Sequence, residues 1–200
     1  MSIYALKPKF QSLLRPLTSA LARAGVTANE VTLAAAIVSV AVGTFIAWRA
    51  PERWPFLLVP LWMFVRMAFN AIDGMLAREF GQKSRLGAYL NELTDVISDS
   101  FLYLPFALVA PFSPLWTGAV IVLAVISEFA GVLGPAVGAS RRYDGPMGKS
   151  DRAFVFGALG LWIGLTTAVP DWVGHVMPIL AVALIVTIAN RVRRGLAENP

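Results

Sequence analysis

Residues 70–99 read NAIDGMLAREFGQKSRLGAYLNELTDVISD, and this stretch decides how the chain folds. Two Asn, three Asp and two Glu fall there, between runs apolar enough to sit in lipid. Carboxylates are expensive in hydrocarbon, so acids kept at such positions hold a partner or a ligand. The surrounding chain is 57% hydrophobic and only 14% charged, with a mean hydropathy of +0.67. Soluble domains are about 25% charged, so the shortfall points to an integral membrane protein. There is no cysteine, hence no disulfide framework and no thiol chemistry. The first residues, MSIYALKPKFQSLLRPL, lack the apolar core and cleavage site of a secretory signal.

Six spans are predicted at Val31–Trp48, Trp54–Arg78, Leu86–Val109, Leu115–Val137, Ala153–Ala168 and Trp172–Asn190. Most reach the roughly 20 residues that a hydrocarbon core about 30 Å thick demands, and the fifth is short. The breaks between them, RAPERWP, EFGQKSR, APFSP, SRRYDGPMGKSD and VPDW, are rich in turn formers. Basic residues orient the bundle. Of the 17 Lys and Arg, 14 flank the same ends of the spans, whereas Arg49 and Arg53 lie at the opposite ends and Arg66 lies within span two. This split follows the positive-inside rule and predicts cytoplasmic termini in a bacterial-type inner membrane. It also explains the net charge of +5 without nucleic acid. Before span one, Leu6, Phe10, Leu13, Leu14, Leu17 and Leu21 recur at steps of three and four among Lys7, Lys9, Arg15 and Arg23. That pattern predicts an amphipathic helix over 5–24 lying on the membrane surface. The fold class is therefore all-α, one membrane domain over 1–200, with the six-helix bundle at 31–194.

Within span two, Asn70 and Asp73 share a helix face, with Arg66 one turn back. Gly74 beside them lets a ligand or another helix approach the backbone closely. In span three, Asn91, Asp95 and Asp99 fall on an arc of about 80°, with Glu92 at its edge. A short loop joins the two spans, so they are expected to be antiparallel neighbours with these groups facing at similar depth. Three partners could neutralise the acids: a hard cation such as Mg²⁺ or Mn²⁺, the guanidinium of Arg66 or Arg78, or protons. The absence of cysteine and the single, distant His175 argue against zinc or haem.

The run Asn70-x₂-Asp73-Gly74-x₂-Ala77-Arg78-x₈-Gly87-x₃-Asn91-x₃-Asp95 resembles the signature of the CDP-alcohol phosphotransferases, D-x₂-D-G-x₂-A-R-x₈-G-x₃-D-x₃-D. The phrase GVTANEVT at 25–32 is similar to the entry into the first span of that family. The resemblance implies six spans, an interfacial helix, and a transfer reaction. A CDP-alcohol, commonly CDP-diacylglycerol, is attacked by an acceptor hydroxyl, and CMP leaves. It implies metal ligation by the positions of Asn70, Asp73, Asn91 and Asp95, with one or two Mg²⁺ or Mn²⁺ ions. It implies a CDP cradle at Asp73, Gly74, Ala77, Arg78 and Gly87, and a homodimer. Asp95 matches the proposed base; Asp99, one turn deeper, is a second candidate catalytic carboxylate. Lys149, Arg152 and Arg141 are candidates for the phosphate of a small polar acceptor such as glycerol 3-phosphate.

The sequence departs from the signature at Asn70 and Asn91, where the family has aspartate. An amide oxygen still ligates a hard cation but brings no charge, so the core set holds −2 rather than −4. Three readings stay open on the sequence: an active transferase with a remodelled site, a degenerate homologue that binds CDP-lipid as a regulatory or partner subunit, and a small transporter using its intramembrane acids.

Overall fold

Each apolar run between the polar breaks becomes a helix in the computed structural model, which describes residues 6–198 and their side chains from residue 9. Residue 5 of the expected surface helix, and the side chains of Leu6 and Lys7, lie outside the described residues. The α-helices are α1 (Leu6–Arg23), α2 (Ala28–Arg49), α3 (Leu58–Glu79), α4 (Arg85–Tyr103), α5 (Pro114–Val132), α6 (Lys149–Leu165) and α7 (Val176–Ala197). Short 3₁₀ turns at Trp54–Leu57, Leu104–Leu108, Gly134–Val137 and Asp171–His175 extend them, the first three around Pro55, Pro105 and Pro135. Local chemistry sets the starts. Thr27 and Glu30 form a reciprocal capping box on α2, and Ser84 Oγ accepts the Gly87 N–H at 2.9 Å at the head of α4.

Four stretches are long and apolar enough to cross a membrane: Ala28–Arg49, Trp54–Glu79, Pro114–Val132 and Asp171–Ala197. The other two expected spans fall on helices of different character. Helix α4 carries Arg85, Glu92, Asp95 and Asp99, and α6 has only 17 residues. Large apolar side chains such as Leu61, Phe64, Val122, Phe129, Phe154, Ile179 and Val182 point outward, the surface expected of a bundle bathed in lipid.

Lipid tails are as apolar as leucine, so close packing and polar links hold such helices together. Helix α2 shows how. Ala35, Ala36, Ser39 and Gly43 are buried along it, and Gly43 lies so near the Phe101 carbonyl of α4 that a β-carbon there would overlap it. This slim face lets α2 pack against both α3 and α4. The expected direct pairing of α3 with α4 is corrected accordingly, because their backbones scarcely approach and α2 lies against each of them. Glycine works the same way on α6, where Gly160 and Gly164 lie against Phe56, Val59 and Leu57 of the neighbouring segment. Helix α5 packs on α7 and on α4. The apolar core gathers Phe56, Phe106, Phe156 and Tyr103, the last two stacked with ring centroids 3.8 Å apart.

The leucine stripe of α1 divides its work. Leu14 and Leu21 pack near Ile72 and Leu76 of α3, and Phe10 meets the Phe64 ring edge-on at 6.4 Å. Leu13 and Leu17 stay exposed.

Candidate active site

The gap between α3 and α4 is bridged by side chains. Arg66, buried in the apolar upper part of α3, reaches α4 with both arms of its guanidinium. Nη1 meets Asp99 Oδ1 at 2.5 Å and Nη2 meets Asp95 Oδ1 at 2.9 Å. The second oxygen of Asp95 is held by Lys149 Nζ, at 2.5 Å, from the first residue of α6. Asp99 also faces Arg152 Nη2 at 3.4 Å, and Arg152 in turn pairs with Glu128 of α5 at 2.9 Å. Arg191 of α7 closes the series on the other oxygen of Glu128, at 3.4 Å. Five helices are thus stitched through one buried ion network. Of the three ways to neutralise the acids, internal pairing is the one that Asp95 and Asp99 display.

Asp73 stands apart from this network. Its carboxylate accepts the Thr32 hydroxyl at 2.9 Å and has no basic partner among the described residues. It lies within electrostatic reach of Asp95 and Lys149. Arg78 folds back over Gly74, so that a β-carbon on Gly74 would lie 2.7 Å from its Nη2. Arg78 is exposed and makes no ion pair among the described residues. Gly87 is equally close to α2, where a β-carbon would meet Asn29 Oδ1 at 2.8 Å. Gln82 ties the α3–α4 turn to the same place by accepting the Ala28 N–H at 2.6 Å. Ala77 packs in the small cluster of Ala28, Val31, Ile72 and Leu76. Asn70 and Asn91 are half-buried; Asn91 makes one long contact, 3.4 Å to Glu92 Oε1.

A cavity of about 330 Å³ opens beside the network. Its walls include Asp95, Asp99 and Glu128 together with Lys149, Arg152 and Arg191. The three sequence-predicted phosphate candidates, Lys149, Arg152 and Arg141, all line it. Arg141 pairs with Glu92 through both guanidinium arms and lies 5.0 Å over the Tyr143 ring. Arg141, Arg152 and Arg191 each keep a buried Nε–H without a partner. The residues Gly74, Ala77, Arg78 and Gly87 are not in this wall; they form a second locality where α2, the end of α3 and the start of α4 meet. Asp73 lies between the two.

The loop over the cavity is fastened to α7. Arg142 pairs with Asp144 and Glu198, Arg194 reaches Asp144 at 2.9 Å, and Ser140 bonds Glu198. Burial pushes the Asp144 carboxyl up, but its bond to Arg142 and the charges of Arg142 and Arg194 outweigh this and hold it below the usual carboxylate range.

Sequence reasoning missed Thr32, Asn29 and Arg191. The first two lie within the GVTANEVT phrase, where their polar side chains one turn apart were the available signal. Arg191, one of the basic residues at the span ends that follow the positive-inside rule, is 2% exposed while Arg194 is open to solvent.

The family model for CDP-alcohol phosphatidyltransferase matches residues 25–189. The chain belongs to the CDP-alcohol phosphatidyltransferase family. It is 44% identical to the inner membrane protein YnbA of Escherichia coli over 197 residues, covering 96% of each chain. It is 30% identical to the phosphatidylinositol phosphate synthase of Mycolicibacterium smegmatis over 193 residues, covering 92% of this chain and 83% of the relative. Its fold matches that of the phosphatidylinositol phosphate synthase PgsA1 of Mycobacterium tuberculosis. The CDP-DAG-bound structure of that protein superposes with a TM-score of 0.75 at 24% identity, covering 90% of this chain and 92% of the other. A second structure of PgsA1, in complex with manganese and citrate, gives a TM-score of 0.74.

The donor set of this family member tests the cations that the resemblance implies. Two metal ions would find less negative charge here than the signature offers. Both oxygens of Asp95 are engaged by Arg66 and Lys149, and Asn70 and Asn91 supply no charge. Asp73 is the signature carboxylate without a cationic partner; it meets only a neutral hydroxyl donor among the described side chains. Among the described residues no group of three His, Cys, Asp or Glu is arranged to hold a metal by itself, so amide or substrate oxygens would have to complete the shell.

Proposed function

We propose that this protein transfers a phosphatidyl-type group from a CDP-alcohol, CDP-diacylglycerol foremost, to a hydroxyl of a small phosphorylated polyol. The observation that carries this reading is the 330 Å³ cavity that sets four basic side chains against Asp95 in a member of this family. The acceptor oxygen attacks the phosphorus that bears the lipid. The bond from that phosphorus to the CMP oxygen breaks, CMP leaves with the electron pair, and Asp95 takes the acceptor's proton. Arg78, without an ion-pair partner and lying over Gly74, is placed to make charge-assisted bonds to the diphosphate. Lys149, Arg152, Arg141 and Arg191 hold the acceptor's phosphate, using the unpaired Nε–H donors of the three arginines. A single Mg²⁺ or Mn²⁺ at Asp73, with the amide oxygens of Asn70 and Asn91, would neutralise charge on the departing CMP.

The proposal includes six spans, with α4 and α6 crossing inside the bundle, α1 on the membrane surface, and both termini in the cytoplasm of an inner membrane. A homodimer belongs to it on the resemblance alone. The engagement of both Asp95 oxygens favours a second reading, a homologue that binds the CDP-lipid without turning it over. Purified protein is incubated with CDP-diacylglycerol, Mg²⁺ or Mn²⁺, and a panel of phosphorylated and plain polyols. CMP release that depends on a phosphorylated acceptor is the expected result. Stabilisation by CDP-diacylglycerol with no CMP from any acceptor would establish the second reading instead.

A further inference from the structure

Arg66 has no counterpart in the signature, and its place is unusual: a guanidinium 5% exposed, on an apolar helix, aimed at the acids of α4. Lys149 arrives at the same carboxylate from the opposite side. It is fixed there by its position as the first residue of α6, where the Asp151 carboxylate accepts the Gly148 N–H at 2.9 Å. Between them they engage Oδ1 and Oδ2 of Asp95, so a metal ion approaching this carboxylate meets two positive charges already bound to it. Side-chain cations and a metal ion at this place therefore compete for the same two oxygens.

The charges agree with the geometry. Two acids of the four-residue signature are amides here; of the two that remain, Asp95 is held by both Arg66 and Lys149, and Asp73 has no basic partner among the described residues. Two monovalent side chains carry the charge of one divalent ion. A second divalent ion would bring like charge against Lys149 and Arg66 at a site where burial weakens screening.

We propose that Arg66 and Lys149 stand in for one of the two divalent cations of the family's site, so that this chain takes at most one such ion, on Asp73. The substitution is internally consistent: with Asn at positions 70 and 91 the charge that a second ion needs is missing, and the two basic side chains engage Asp95 while Asp73 keeps its charge unpaired among the described residues. The inference rests on reading the site as a CDP-alcohol site, and its test is read by binding rather than turnover.

The metal-stripped full-length protein in detergent is titrated with Mn²⁺, and free Mn²⁺ is followed by electron paramagnetic resonance. The wild type is expected to bind no more than one Mn²⁺ per chain. Lys149→Ala is expected to bind Mn²⁺ at least about tenfold more tightly, because a like charge has been removed from beside the site. The triple variant Asn70→Asp, Asn91→Asp, Lys149→Ala is expected to bind one ion more than the wild type. Two Mn²⁺ per wild-type chain would overturn the proposal, and that count needs no variant to fold. Equal affinity of the wild type and Lys149→Ala would overturn it as well. Absence of CMP release with a correct ion count would instead sink the transferase reading and leave the cation assignment standing.

Discussion

Glu128 pairs with two of the guanidinium groups proposed to hold the acceptor's phosphate, Arg152 at 2.9 Å and Arg191 at 3.4 Å. An incoming phosphate has to displace this carboxylate or share the two arginines with it. Glu128→Gln keeps the shape and removes the competing charge. The apparent KM for a phosphorylated acceptor should then fall about tenfold, the worth of one charge-assisted bond, while that for an unphosphorylated polyol stays unchanged. Steady-state CMP release with both acceptors checks this; equal shifts for the two would remove phosphate recognition from this pocket. Gly74 makes the matching case on the donor side. A methyl group there meets only the flexible end of Arg78, so Gly74→Ala should fold normally but displace the guanidinium from over the helix. Protection of the protein by CDP against thermal unfolding should weaken about tenfold, the loss of one charged bond to phosphate. At this scale the sequence revealed residue types and spacing. Helical periodicity and the signature single out Asp73 and Asp95, and the basic stretch before the fifth span singles out Lys149 and Arg152; Asp95, Lys149 and Arg152 line one cavity. Arg66 as a double bridge and Thr32 under Asp73 were not legible, because such pairings depend on how far apart the helices stand.

The helices themselves were closely legible, since long apolar runs broken by Pro, Gly and charge have one economical reading. The expected span Leu86–Val109 corresponds to α4 with the 3₁₀ turn Leu104–Leu108. The neighbour relations were less legible. A short connection implies contact between α3 and α4, yet α2, earlier in the chain, packs against both. The reason is its narrow face, and Gly43 is the sharpest point of it. A β-carbon at this position would overlap the carbonyl of Phe101, a backbone group that cannot swing aside. Gly43→Ala should therefore destabilise the fold by about 1–3 kcal/mol, the usual cost of overpacking a tight contact. Thermal unfolding in detergent measures it, and Gly118→Ala, where the added methyl meets open space, serves as the control. If the two variants unfold at the same temperature, the close α2–α4 approach does not limit stability.

At the scale of the whole molecule, Arg66, Asp73, Asp99, Arg152 and Arg191 are buried while large apolar side chains face outward, and this bears on how many helices cross the membrane. Among the described residues, four stretches have the length and apolarity to span by themselves. Helices α4 and α6 can cross because their charged groups turn inward: Asp95, Asp99 and Arg152 are satisfied by partners from other helices rather than by lipid. Their outward residues, Leu93, Ile97, Phe101, Phe154 and Leu161, are apolar. The two arrangements place the loops differently. If six helices cross, Lys83 and Glu198 share the cytoplasmic face, and Glu52, Ser113 and Asp171 share the other. If α4 lies flat, Lys83 and Ser113 fall on one side. The natural chain has no cysteine, so single replacements report cleanly. Lys83→Cys and Glu198→Cys should resist a membrane-impermeant maleimide in sealed right-side-out vesicles and react after permeabilisation. Glu52→Cys, Ser113→Cys and Asp171→Cys should react at once. Labelling of positions 83 and 113 from the same side would remove α4 from the membrane, and with it the site in which Arg66 can reach Asp95 and Asp99 across the bundle.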